Sequence, residues 1–136
     1  MESEQKTAEA FAGRIVDFKD LIVWKKAMAL AKKIYELTAR FPAVERFGLA
    51  SQMRRAAVSA PSNIAEGQGR RGPGEFPHFL AMARGSLAEL ETQLLLSAEV
   101  GFAKPPEVEQ LAGDIREIQR MIAGIQRKLA SRSSGE

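Results

Sequence analysis

The chain has 136 residues, 45% of them hydrophobic, and a formal net charge of +3, which suits one domain around one core. It contains no cysteine and one histidine, excluding disulfide staples, thiolate metal sites and any site built on several histidines. No apolar run approaches the roughly 20 residues that span a bilayer, and the acidic start Met1-Glu2-Ser3-Glu4 lacks a signal peptide's basic and apolar regions, so a cytoplasmic protein without membrane contact is expected.

Residues 1–17 are expected to be a mobile N-terminal segment, residues 18–130 the folded domain and residues 131–136 a disordered tail. From Asp20 to about Arg40, Leu21, Val23, Trp24, Met28, Leu30, Ile34, Tyr35 and Leu37 fall on one helical arc. That arc is roughly 200° wide, about twice the minimum for a helix that covers one core. Phe41-Pro42 ends it, because a residue before proline is pushed out of the helical region. A second helix is read from about Phe47 to Glu66, with Leu49, Met53, Ala56, Ala60 and Ile64 at helical spacing. Pro61 lies inside it and removes one backbone hydrogen bond, which predicts a kink or local widening.

Gly67 to Gly74 reads as a loop, since its glycines and proline oppose regular structure. A third helix, from about Glu75 to Val100, places Phe76, Leu80, Ala83, Leu87, Leu90 and Leu94 on one face, and Pro77 is tolerable in its first turn. Gly101 and Pro105-Pro106 stop it. The last helix carries Val108, Leu111, Ile115, Ile118, Ile122, Ile125 and Leu129, the 3-4 alternation of bundle packing. No segment alternates as a strand does. The fold class is therefore all-α, an up-down-up-down antiparallel four-helix bundle.

Charge is uneven along the chain. Arg14 to Arg71 holds 12 basic and 5 acidic residues (12 − 5 = +7), so the remainder sums to 3 − 7 = −4. A charge run is commonly a solvated helix face. Two strings look chemical and are read otherwise. Gly67-Gln68-Gly69-Arg70-Arg71-Gly72 matches a dinucleotide-binding pattern but follows a helix where that pattern needs a strand. Glu75-Phe76-Pro77-His78 matches half of a di-iron ligand set, with no second His to complete it. No metal and no cofactor are expected.

The second helix carries a polar row, Gln52, Arg55, Ser59, Ser62 and Glu66, with Asn63 beside it and the small Ala56, Ala57 and Ala60 as neighbours. Small residues allow close helix approach, so these side chains are read as a structural polar network, with Glu89 and Glu91 as acceptors for Arg54 or Arg55.

The run Ser51-Gln52-Met53-Arg54-Arg55-Ala56-Ala57-Val58-Ser59-Ala60-Pro61-Ser62-Asn63-Ile64-Ala65-Glu66-Gly67 resembles the signature of the bacterial four-helix-bundle proteins first noticed as products of 23S rRNA intervening sequences. Phe18-Lys19-Asp20-Leu21 with Trp24, and Gly85-Ser86-Leu87-Ala88-Glu89-Leu90-Glu91-Thr92, extend the resemblance to about residues 18–129. Ala60 departs from it, standing where the family commonly has a larger aliphatic residue. The resemblance implies a homopentameric ring and a looser kinship with accessory proteins of diversity-generating retroelements, pentameric bundles that bind nucleic acid and a reverse transcriptase. The wide arc of the first helix points to assembly separately.

A non-enzymatic, oligomeric nucleic-acid binder is the leading expectation. RNA or DNA backbone would be held by Lys25, Lys32, Lys33, Arg54, Arg70 and Arg71, without base stacking, because no aromatic interleaving suggests it on that face. The alternative is a protein-interaction scaffold, for example one docking a reverse transcriptase. No base, nucleophile and oxyanion donor stand in a recognisable catalytic arrangement.

Overall fold

A computed structural model describes residues 17–70 and 72–135. Among the described residues it is all helical: α1 (Ile22–Thr38), α2 (Leu49–Gly69), α3 (Glu75–Glu99) and α4 (Pro105–Gly135), with 3-10 turns at Phe18–Asp20 and Ala43–Phe47 and no strand. No helix of the described residues is long and apolar enough to cross a membrane. Each helix packs on the next in sequence, and α1 also packs on α4.

One core joins all four. Leu30, Ile34 and Leu37 of α1 meet Met53, Ala57 and Ile64 of α2, Leu80, Leu87 and Leu94 of α3, and Ile115, Ile118 and Ile122 of α4, all buried. The helical periodicity of the sequence places them there. The seam between α1 and α4 is charged: Arg40, Lys33 and Lys26 meet Glu107, Asp114 and Glu117. Numbers thus fall along one helix as they rise along the other.

The ends have local causes. Asp17 caps the first turn, its carboxylate accepting the Lys19 N–H at 3.0 Å. α1 ends at Thr38, ahead of the expected Arg40, and the Thr38 hydroxyl donates to the Ile34 carbonyl at 2.7 Å. The Ala43–Phe47 turn then leads into α2, whose first N–H, on Leu49, is taken by the Glu45 carboxylate at 3.1 Å. Gly101, at φ +83°, closes α3 in a Schellman arrangement, with Phe102 N–H donating to the Ser97 carbonyl and Gly101 N–H to that of Ala98.

Besides the early end of α1 and the start of α2 at Leu49 rather than Phe47, two further boundaries differ from the sequence reading. Pro61 is buried within an α2 that continues past Glu66 to Gly69, so the glycine-rich loop begins later than Gly67. A Cβ on Gly67 would stand 2.6 Å from Phe79 Cβ. That glycine is therefore a contact between α2 and α3, with its side chain forbidden by packing. The tail placed at 131–136 is helical as far as Gly135, because Ala130-Ser131-Arg132 offers no proline or glycine to stop a helix already running. Residues 1–16, the expected mobile segment, lie outside the described residues.

Candidate functional site

The wide apolar arc of α1 divides in two. Val23, Ala27, Leu30 and Ile34 turn inward, whereas Met28 and Tyr35 stay 46% and 44% exposed. Across from them Val58 of α2 is also exposed. Between the two helices lies an apolar groove of about 480 Å³, lined among others by Trp24, Met28, Tyr35, Val58 and Pro61, with Lys32 at its edge. It continues into a second groove of about 520 Å³, lined by Tyr35, Arg46, Phe47, Arg54, Arg55 and Val58 together with Ser51 and Ser59.

The expected phosphate-binding residues have separate fates. Lys25 and Lys32, one heptad apart on α1, are exposed and have no carboxylate partner among the described residues. Lys33 is paired, its Nζ 3.0 Å from Asp114 Oδ2. Arg70 is engaged by Glu66 at 2.7 Å and Glu75 at 3.4 Å and lies over the Phe79 ring. The Glu66 carboxylate, through its hydrogen bond and its charge, raises the Arg70 pKa above the ordinary guanidinium value. Arg71 lies outside the described residues.

Arg54 points to α1 rather than to α3. Its Nε donates to Thr38 Oγ1 at 2.8 Å and its Nη2 to the Tyr35 carbonyl at 3.2 Å, with the guanidinium 4.5 Å from the Tyr35 ring centroid. All three partners are neutral, so its charge is positioned and uncompensated. Neither Glu89 nor Glu91 accepts from Arg54 or Arg55. Glu91 pairs instead with Arg116 of α4, and Arg55 is exposed with no hydrogen bond among the described residues. The cause is helical phase: residues 54 and 55 stand 100° apart, which turns one towards α1 and the other to solvent.

The polar row is thus a smaller network than the sequence suggested. Ser59 Oγ meets Ser86 Oγ of α3 at 2.8 Å, and Asn63 Nδ2 donates to the Ser59 carbonyl and hydroxyl at 2.9 and 3.0 Å. Ser62 donates to the Val58 carbonyl of its own helix; Gln52, Glu66 and Glu89 are exposed. One heptad beyond Ser86, Gln93 is buried, with its Oε1 lacking a hydrogen-bond partner among the described residues. Ser86 and Gln93 escaped the site reading although their spacing of seven mirrors that of Ser59 and Gln52. Arg46 and Phe47 were also missed, because they lie in a short turn without periodicity. The turn brings the Arg46 guanidinium 5.6 Å from the Phe47 ring centroid and leaves Phe47 89% exposed. Together with Tyr35 it supplies the aromatic component that the linear reading found missing beside the basic residues.

The exposed apolar residues do not all lie on α1 and α2. Met82 and Leu96, and Val100 at the cap that ends α3, are near half exposure and continue one stripe, since separations of 14 and 18 residues return nearly to the same helical angle.

The sequence model of the 23S rRNA-intervening sequence protein family matches residues 19–124. A crystal structure of a protein of unknown function from the S23 ribosomal protein family, from Bacteroides thetaiotaomicron, is similar in fold. Its TM-score is 0.70 at 22% identity, over 77% of this chain and 98% of that one. No curated protein matches the chain.

Proposed function

Since this chain belongs to the 23S rRNA-intervening sequence protein family, we propose that it acts without catalysis. In this reading it is an up-down-up-down bundle, assembled as a homopentameric ring, that binds the backbone of RNA or DNA. One observation carries the binding. Lys25, Lys32, Arg46, Arg54 and Arg55, on or beside the α1–α2 face, lack carboxylate partners among the described residues. Of the nearby acids, Glu45 is occupied in capping α2 and Glu36 is the one acidic residue of α1. Uncompensated lysines and arginines release counterions when they meet phosphates, and that release drives binding with little sequence preference. Lys33 and Arg70, already paired, contribute less.

The ring is supported by shape. A cyclic assembly is heterologous and joins two different patches of each copy. The groove at Trp24 and Met28 and the α3 stripe of Met82, Leu96 and Val100 are two such patches. The same stripe also favours the second reading, a scaffold on which another protein such as a reverse transcriptase docks.

Fluorescence anisotropy with labelled structured RNA and duplex DNA, over a series of salt concentrations, tests the proposal. The logarithm of the binding constant should fall linearly with the logarithm of salt, and Lys25→Gln with Lys32→Gln should flatten that slope by about 1–2 units. If no complex forms with either probe at low salt, the scaffold reading takes its place.

A further inference from the structure

The proposed binding of nucleic acid leaves open which form is bound, and the second groove bears on that choice. Resting on that reading, we propose that the groove formed by Tyr35, Arg46, Phe47, Arg54 and Arg55 takes unpaired nucleotides, so that the preferred ligand is single-stranded RNA or DNA. Three features of the groove converge on this chemistry.

The first is the ring of Phe47. A phenylalanine 89% exposed is ordinarily costly to hold in water, and here the backbone that carries it is tied down. Its 3-10 turn begins after Pro42, and Glu45 ties the turn to the first N–H of α2. The ring is therefore presented from a held backbone, which reduces the ordering that binding must impose on the turn. The second is the pairing of cation with ring. Arg46 stands over Phe47 and Arg54 over Tyr35, at 5.6 and 4.5 Å, and Arg55, at the rim, has no hydrogen bond or ion pair among the described residues. The third is sign: three guanidiniums and no carboxylate line the groove.

Aromatic faces alternating with guanidiniums match a strand whose bases are splayed, each base stacking on a ring and each phosphate meeting an arginine. A duplex offers phosphates but hides its base faces in its own stack. The groove, about 520 Å³, suits a ligand of nucleotide size and does not suit a double helix. An apolar partner helix would leave three charges desolvated without counter-charge, which is costly.

The test compares a short labelled single strand with the same strand in a duplex, in protein whose mass is followed in parallel by light scattering. The single strand should bind about tenfold more tightly, and Phe47→Ala should remove about that factor for the single strand alone. Phe47→Tyr, which keeps the ring, should restore it. Arg55→Gln should flatten the single-strand salt slope by about 0.7. Equal binding of strand and duplex, indifferent to Phe47→Ala, would overturn this inference and leave the backbone-binding function standing. Absence of any nucleic-acid complex would overturn both. A fall in assembled mass on Phe47→Ala or Arg55→Gln would make the groove a contact between copies and overturn the inference as well.

Discussion

The guanidinium of Arg54 lies over the ring of Tyr35, 4.5 Å from its centroid, while Nε and Nη2 of the same group donate to Thr38 and to the Tyr35 carbonyl. One side chain thus fastens the start of α2 to the end of α1, where the buried Thr38 hydroxyl waits as acceptor. Its neighbour Arg55 makes no such contact.

The two arginines should therefore separate cleanly on mutation. Arg54→Ala removes two hydrogen bonds and a cation–ring contact and should cost about 1–3 kcal/mol. Arg54→Lys should recover little of it, because an ammonium cannot span both acceptors while lying flat on a ring. Arg55→Ala should change stability by less than about 0.5 kcal/mol and weaken nucleic-acid binding. Thermal unfolding checks the first two and a binding titration the third.

Gly67→Ala tests the closeness of α2 and α3. In an isolated helix the alanine would be favoured by about 1 kcal/mol, yet here its Cβ would stand 2.6 Å from Phe79 Cβ and 3.1 Å from Phe76 Cδ1. A Cβ is anchored to backbone and cannot swing aside. The variant should be destabilised by about 1–3 kcal/mol in denaturant unfolding, and a gain in stability would mean the helices separate without cost.

Gly101→Ala should also destabilise, for a different reason. Space around Gly101 is open, but its φ of +83° is a left-handed conformation that costs an alanine about 1–2 kcal/mol. Gly85, inside α3 with open space around its Cβ position, makes the control: Gly85→Ala should stabilise by about 0.5–1 kcal/mol. Comparing the two midpoints in one denaturant series tests the backbone argument directly.

Assembly is the remaining prediction. Light scattering should give a mass near five chains, and Met28→Glu, at a position 46% exposed in the single chain, should reduce that mass without loss of helical circular dichroism. If the wild-type chain is a stable monomer at micromolar concentration, the apolar groove at Trp24 and Met28 serves a partner other than a second copy.

Much of the candidate site was visible as composition and little of it as geometry. Lys25 and Lys32 are as exposed as the periodicity of α1 implies. The neutralisation of Lys33 had a faint signal: Lys26, Lys33 and Arg40 recur every seven residues, as do Glu107 and Asp114. No linear pattern, however, states which two helices face each other. Arg46 left no signal and Phe47 only that of a helix start, since a five-residue turn is too short to show a period of its own.

What the sequence by itself determined is the set of helices and the stripe each one buries. Apolar residues at Val108, Leu111, Ile115, Ile118, Ile122 and Ile125 repeat with the helix's own period, and burying them is the dominant gain in folding. Only the tertiary structure decided what the polar residues at the seams do. Such contacts depend on helical phase and on the depth at which two helices meet, and a rotation of 100° exchanges Arg54 for Arg55. The same depth turned Gly67 from a loop residue into the place where α2 and α3 touch, because a contact distance belongs to a pair of helices and not to either one alone.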